Sequence, residues 1–371
     1  MSARKEFTAR QSCNEPQPQR LGKLFSFVVG VDTHARSNTY AIIATRTAAR
    51  LDAATFPTSS SGIGRALGWI LRRCQESRPL LVVEGIGSYG AALRRAAAIR
   101  GLEVVEPLPY GSPRRRGPKD DTIDAELIAR SVLGLDEALL RRPRSEDAIR
   151  TGLRVLVVAR EELNAERTRS INALTALVRS VDLELSARRP LSKSQIATIA
   201  RWRGRSEDLG LATARAESIR LARRILLAEE ELIRNREELA ALVAASGSAQ
   251  LLNEVGIGAV NAAIILVAWS HNGRIRSEAA FASLSGTCPI PASSGNTERH
   301  RLNRGGDRRL NRALSSIALT RMSHDPETRA YVERRRSEGK TPKEIKRLLK
   351  RYIARQVYRR LANPAEIALA T

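Results

Sequence analysis

Residues 27–34 read FVVGVDTH and residues 80–90 read LLVVEGIGSYG. Each opens as a short apolar, β-branched run of strand length, and each run stops at an acid, Asp32 in the first and Glu84 in the second. Strands buried on both faces read as such runs, and a parallel sheet gathers its ligands at the C-terminal ends of its strands. A third acidic stretch, GPKDDTIDAELIA (residues 117–129), opens a helical pattern with Asp121 and Asp124 three residues apart, on one face of one turn. Any one of these acids reads as an ordinary surface carboxylate. A strand-end Asp, a strand-end Glu and a helix-start D-x-x-D together read as a cluster. Four gathered carboxylates need a cation between them, and a hard divalent ion such as magnesium is the natural one. Two such ions, about 3.5–4 Å apart, would clamp both oxygens of a phosphodiester displacement.

Outward from these stretches, FSFVVGVD, NTYAIIAT and ARLDAATF suggest three strands joined by tight turns. SSGIGRALGWILRRCQE is an amphipathic helix behind a Ser-rich cap. PLLVVEG is a buried strand, SYGAALRRAAAIRG a helix ending at Gly101, and LEVVEPL a further strand. With the D-x-x-D helix the order is β-β-β-α-β-α-β-α, that of the ribonuclease H-like fold. There the first strand is central and its Asp faces the acid of the fourth. The loop PYGSPRRRGPK, with Arg114, Arg115, Arg116 and Lys119, precedes the D-x-x-D helix, where a phosphate backbone would lie beside the acids.

The chain has 371 residues, room for two or three domains. Its 63 Lys and Arg against 39 Asp and Glu give a formal charge of +24, a field that attracts nucleic acid. No apolar run approaches the roughly 20 residues of a membrane span, and the first 22 residues have no signal-like apolar core. A cytoplasmic, nucleoid-associated protein is expected. Cys13, Cys74 and Cys288, like His34, His271, His300 and His324, are widely spaced, so neither disulfides nor a His/Cys metal site is expected.

The expected domains are a disordered lead-in (1–24), a ribonuclease H-like α/β domain (25–146), a helical linker (147–246), a mostly helical C-terminal domain (247–325) and a basic helical tail (326–371). In the linker, long helical patterns over 148–181 and 209–245 flank a polar break, SARRPLSKSQ. Ile225, Leu232 and Leu239 recur every seven residues, which suggests an antiparallel coiled-coil hairpin or a dimerising arm. Two long helices packed on the main domain is an equal reading. Trp202 reads as a core residue of the hairpin tip, ahead of a base-stacking one. LLNEVGIGAVNAAIILVAW resembles a helix-hairpin-helix whose Gly256 and Gly258 turn offers backbone N–H groups to phosphate. A Ser- and Gly-rich loop follows, surrounded by Arg299, Arg301, Arg304, Arg308, Arg309 and Arg312. The run GKTPKEIKRLLKRYIARQVYRRL reads as a helix facing DNA or RNA.

From the residues alone, the serines of that loop either donate hydrogen bonds to phosphate or supply a nucleophile. Four motifs bear on the choice. VGVDTH, VVEGIGSYG, K-x-D-x-x-D-A and P-x-x-x-SSG…RGGDRRLNRAL, in that order between about residues 26 and 325, resemble the DEDD transposases of the insertion-sequence family one-ten, relatives of the Piv DNA invertase. The resemblance implies a site-specific recombinase that moves an insertion sequence. A structured non-coding guide RNA would pair with donor and target DNA. It places the magnesium-holding tetrad at Asp32, Glu84, Asp121 and Asp124. It places the serine nucleophile at Ser294, with Ser293 beside it as the alternative. Where the family commonly has Ser or Thr this chain has Asp120, a rival ligand; the two-residue gap to Asp124 favours Asp121. The family's composite site, acids of one subunit meeting the serine of another, implies a dimer or tetramer. Two other classes fit the composition: a RuvC-like junction nuclease that needs no serine, and a non-catalytic nucleic-acid-binding protein.

Overall fold

A computed structural model of the chain describes residues 20–75, 77–108, 120–144, 147–185, 189–291, 300–301, 303 and 305–363. Arg114, Arg115, Arg116, Lys119, Ser293, Ser294, Arg299 and Arg304 lie outside the described residues. The chain divides into two compact units, one ending at Pro143 and one beginning at Arg144.

The first unit is built on alternation. β1 (Phe27–Thr33) sits at the centre of a five-stranded sheet ordered β3-β2-β1-β4-β5, with β2 at Ser37–Ala44, β3 at Arg50–Pro57, β4 at Leu80–Val83 and β5 at Val104–Val105. β1 runs antiparallel to β2 and parallel to β4, and β5 continues the parallel half. Val29 and Val31 face one way, into a core with Tyr40, Leu67 and Leu93 from α2 (Ser60–Arg73), α3 (Ala91–Ile99) and the sheet. Val28 faces the other way, with Leu80, Val82, Ile128 and Ala129, under α4 (Asp121–Arg130). This mixed α/β arrangement is compatible with a ribonuclease H-like domain. Gly30 shows how closely α4 lies on β1: a Cβ there would sit 2.0 Å from the Ala125 carbonyl oxygen and 2.5 Å from the Ala129 nitrogen. Residues 20–24 read as the end of a polar lead-in, yet they hold α1 (Leu21–Leu24). Leu21 is fully buried, and its N–H donates to the Leu135 carbonyl.

In the second unit the two long helices form at the expected places, α5 at Ala148–Ser180 and α7 at Leu209–Ala245. They run antiparallel, as the pairs Gly152–Leu242 and Arg167–Glu229 require. A third helix, α6 (Lys193–Ala200), occupies the polar break, closed by a capping box between Ser192 and Gln195. Leu174, Val178, Ile196, Ile199 and Leu221 make the core at that end. Trp202 packs against it, as a tip core residue should, under the Arg215 guanidinium. Midway along, the contact turns polar: Arg160 donates to the Leu232 carbonyl and to Asn235, whose amide returns a bond to the Leu156 carbonyl.

At the opposite end Leu153, Val157, Leu239 and Val243 join a core with α8 (Ala259–Trp269), α9 (Glu278–Leu284), α10 (Arg308–His324), α11 (Pro326–Ser337) and α12 (Pro342–Ala362). The limb before the Gly256–Gly258 turn is a five-residue 3-10 stretch, Ala249–Asn253. α12 buries Ile345, Leu349, Ile353, Val357 and Leu361 along one face, so its basic run is also a core helix. Among the described residues no helix is long and apolar enough to cross a membrane.

Candidate active site

Strand parity assembles the acidic centre. Asp32 follows Val28 and Gly30 on the α4 face of β1, and it is buried at 7% exposure. α4 is held against that face by the absent side chain of Gly30, so its first turn overhangs the end of β1. Asp120 caps the helix, its carboxylate accepting from the Thr122 N–H at 2.9 Å. Asp121 and Asp124 occupy the first turn, where the helix dipole favours acids in any case. The cap occupies an oxygen of Asp120, and it is Asp121 that joins the cluster. The residue that brings the two elements together chemically is His34. Its Nε2 lies 3.0 Å from Asp32 Oδ2 and 3.7 Å from Asp121 Oδ1.

Glu84 follows β4 directly. Its N–H donates to the Val31 carbonyl at 3.1 Å, and its own carbonyl accepts from Thr33 Oγ1 at 3.0 Å. The parallel register pairs Val31 with Val83, so Glu84 leaves β4 at the level where Asp32 follows Val31 in β1. Gly85 then turns with φ +60°, where an added Cβ would meet Thr33 Oγ1 at 3.0 Å. Glu84 is exposed and stands outside the tight group of Asp32, His34 and Asp121, whose donor atoms all lie within 4.8 Å of one another. Asp124 lies one turn further along α4 and is also outside that group. The structure thus brings Asp32 and Asp121 together, and sets Glu84 and Asp124 on the elements that flank them.

His34 is the member that sequence reasoning passed over, since four scattered histidines did not suggest a site. The signal was its spacing, two residues beyond Asp32 and just past the end of β1. A buried carboxylate whose hydrogen-bond partner is an imidazole, faced by a second carboxylate, is a donor set that suits a divalent cation. No ion pair to Lys or Arg neutralises Asp32 among the described residues.

In the second unit the expected basic residues divide. Arg301 is exposed on a short ribbon of β6 (Ile290–Pro291) and β7 (His300–Arg301), which brackets residues 292–299 in the chain. Arg308 is exposed at the start of α10. Arg309 is committed to Glu161 on α5, at 2.7 Å, and Arg312 reaches the same carboxylate at 3.4 Å. Arg351 and Arg355 of α12 bind Glu278, whose carboxyl is held below its usual range chiefly by the hydrogen bond from Arg355. Gly256 adopts φ +80° beside Ile317 and Arg321, and Gly258 caps α8 with open space at its Cα.

Lys350 is buried with its ammonium on Asn311 Oδ1 at 2.7 Å, and burial lowers its pKa. Asn311 in turn donates to the Ser285 carbonyl, fixing the root of the segment that leads to β6.

Asp32 at the end of the central strand, His34 just beyond it and Asp121 on the overlying helix form a carboxylate–imidazole cluster that could hold a metal ion. Comparison with known proteins narrows this. A family model described as a transposase, of the DEDD IS110 type, matches residues 29–181, and a second, described as Transposase IS116/IS110/IS902 family, matches residues 249–333. The "Insertion element IS900 uncharacterized 42 kDa protein" of Mycobacterium paratuberculosis is 30% identical over 310 residues, covering 69% of this chain and 76% of the relative. The "Insertion element IS110 uncharacterized 43.6 kDa protein" of Streptomyces coelicolor is 28% identical over 313 residues, covering 71% and 76%. The chain belongs to the IS110 family of DEDD transposases.

Proposed function

We propose that this transposase moves its insertion element by RNA-guided strand exchange through a serine–DNA intermediate. In this reading the first unit is a RuvC-like domain, α5 and α7 form a coiled-coil arm, and the Gly256–Gly258 turn is a helix-hairpin-helix-like phosphate contact. The observation that carries the catalytic part is the meeting of buried Asp32 with Asp121 at the end of the central strand. With Glu84 and Asp124 they would hold magnesium, as two ions. Bound there, the metal supplies Lewis-acid stabilisation of charge on the phosphodiester oxygens.

The protein's own groups do the rest. Ser294, or Ser293 beside it, attacks phosphorus through its Oγ. The new ester forms as the bond to the departing deoxyribose oxygen breaks, and that oxygen leaves as a hydroxyl with the serine's proton. Gly256 and Gly258 offer main-chain N–H groups to the backbone, and Arg301 and Arg308 grip phosphate. Arg114, Arg115, Arg116, Lys119, Arg299 and Arg304 add to the same field. Arg309, paired with Glu161, first holds α10 against α5. The motifs shared with the family support the serine and the guide RNA, and the charge of +24 supports polyanionic partners. A dimer or tetramer would bring the acids of one subunit to the serine of another.

Asp32→Asn and Asp124→Asn test the acidic centre. Each is expected to lower cleavage of element-end DNA by at least about 10–100-fold, the loss typical of even an outer-shell metal partner, with nucleic-acid binding retained. Loss of binding in step with cleavage would count against the catalytic assignment.

A further inference from the structure

We propose that His34 is a protein ligand of the acidic centre, so that the site is a mixed oxygen–nitrogen one, suited to manganese(II) as well as magnesium. The inference rests on the reading of that centre as metal-holding and goes beyond the four acids.

Two residues beyond Asp32, His34 returns to the face of the sheet that carries the acid. Its Nε2 stands 3.0 Å from Asp32 Oδ2 and 3.7 Å from Asp121 Oδ1. An ion with bonds of about 2.1 Å sets neighbouring donor atoms about 3 Å apart and opposite ones about 4.2 Å apart. The 3.0 Å separation from Asp32 matches neighbouring ligands and the 3.7 Å separation from Asp121 lies between the two values, so small side-chain movements bring the imidazole to an ion shared with both acids. The position is also reachable: the side chains of His34 and Asp121 are 39% and 48% exposed, while Asp32 anchors the floor at 10%. The frame is rigid where it needs to be. Asp32 pairs with Thr39 of β2 on a strand that β4 flanks as far as Val31, and α4 is seated on Gly30 without room for a methyl group.

The chemistry follows from the donor set. Magnesium favours oxygen and dehydrates reluctantly, whereas first-row ions such as manganese and cobalt gain from an imidazole. A His34 that only orients Asp32 by hydrogen bonding is the competing role. Affinity alone does not separate the two, because losing an outer-shell partner also costs about 10–100-fold. Nitrogen bonded to the metal does separate them.

The test uses the full-length, untagged protein and manganese(II) alone, read by electron paramagnetic resonance, with nitrogen coupling from the pulsed experiment. The wild type is expected to bind manganese saturably and to show directly bonded 14N. His34→Gln is expected to bind at least about tenfold more weakly, to lose the coupling, and to show a smaller preference for manganese over magnesium in competition. Tight manganese binding without nitrogen coupling in the wild type would overturn the ligand role while leaving the acidic centre intact. So would a coupling that persists in His34→Gln. Absence of saturable manganese binding in the wild type would sink the metal reading itself and the proposal with it. The wild-type spectrum is decisive even where the variant folds poorly.

Discussion

Asp32 is the buried member of the four acids; Asp121 and Asp124 are half-buried and Glu84 is exposed. A carboxylate held in a sheet end with an imidazole as its partner is costly to bury, and such costs are tolerated where function needs them. Asp32→Asn keeps the shape and removes the charge. Its melting temperature is therefore expected to stay level or rise while cleavage is lost, and calorimetry beside a cleavage assay checks both. A fall of many degrees would mean that the charge serves the fold. The cysteines offer an independent check of packing. Cys74 is fully buried, and burial pushes its thiol to about 11. At pH 8 only a small fraction is thiolate, so a thiol reagent is expected to label the partly exposed Cys288 quickly and Cys74 only on unfolding. Rapid native labelling of Cys74 would contradict the core described for α2.

At the scale of elements, α4 on β1 is the contact that positions the site. Gly30→Ala puts a methyl group into the Ala125 carbonyl and the Ala129 main chain. The expected cost is about 1–3 kcal/mol or more, with cleavage falling further than stability because Asp121 and Asp124 ride on α4. A urea titration and a cleavage assay measure the two, and an unchanged midpoint would contradict the close seating. In the hairpin, Asn235→Leu removes both bonds to α5 and leaves the Arg160 guanidinium facing an apolar group. A loss of about 1–3 kcal/mol is expected, against little change for the exposed Glu230→Ala. Much of this architecture was legible in the chain. Short apolar, β-branched runs ending at an acid placed β1 and β4, and helical periodicity placed α5 and α7 to within a residue or so. What escaped was short or three-dimensional. α6 is eight residues long, with its capping box as its one local signal. α1 ends a polar stretch, and of its own four residues Leu21 is the buried one. The role of His34 depends on Asp121, far away in sequence, and only the seating of α4 on β1 brings them together.

Over the whole molecule, charge governs the partners more than any single contact. Some of the arginines are paired internally: Glu161, Glu254 and Glu278 neutralise arginines of α10 and α12. In α12 the arginines interleave with Ile345, Leu349, Ile353, Val357 and Leu361, so a run that reads as basic also carries a core face. Enough charge remains to expect binding that weakens steeply with salt. A slope of about −5 or steeper in log affinity against log salt corresponds to some six phosphates neutralised. A fluorescence titration of element-end DNA over a salt series checks it, and a slope near zero would contradict a phosphate-gripping surface. Asp32→Asn is expected to keep that slope, because the slope counts phosphates neutralised by Lys and Arg and the substitution changes none of them.

The most direct measurement is a covalent-adduct assay. The wild type, Ser293→Ala and Ser294→Ala would each be produced with the element's ends and non-coding RNA, and protein–DNA adducts scored on denaturing gels. The expected result is an adduct in the wild type and in Ser293→Ala that disappears in Ser294→Ala and in Asp32→Asn. Adduct loss in Ser293→Ala alone would move the nucleophile by one residue. Cleavage with no adduct, indifferent to both serines, would contradict the serine–DNA intermediate and leave a hydrolytic, RuvC-like nuclease in its place.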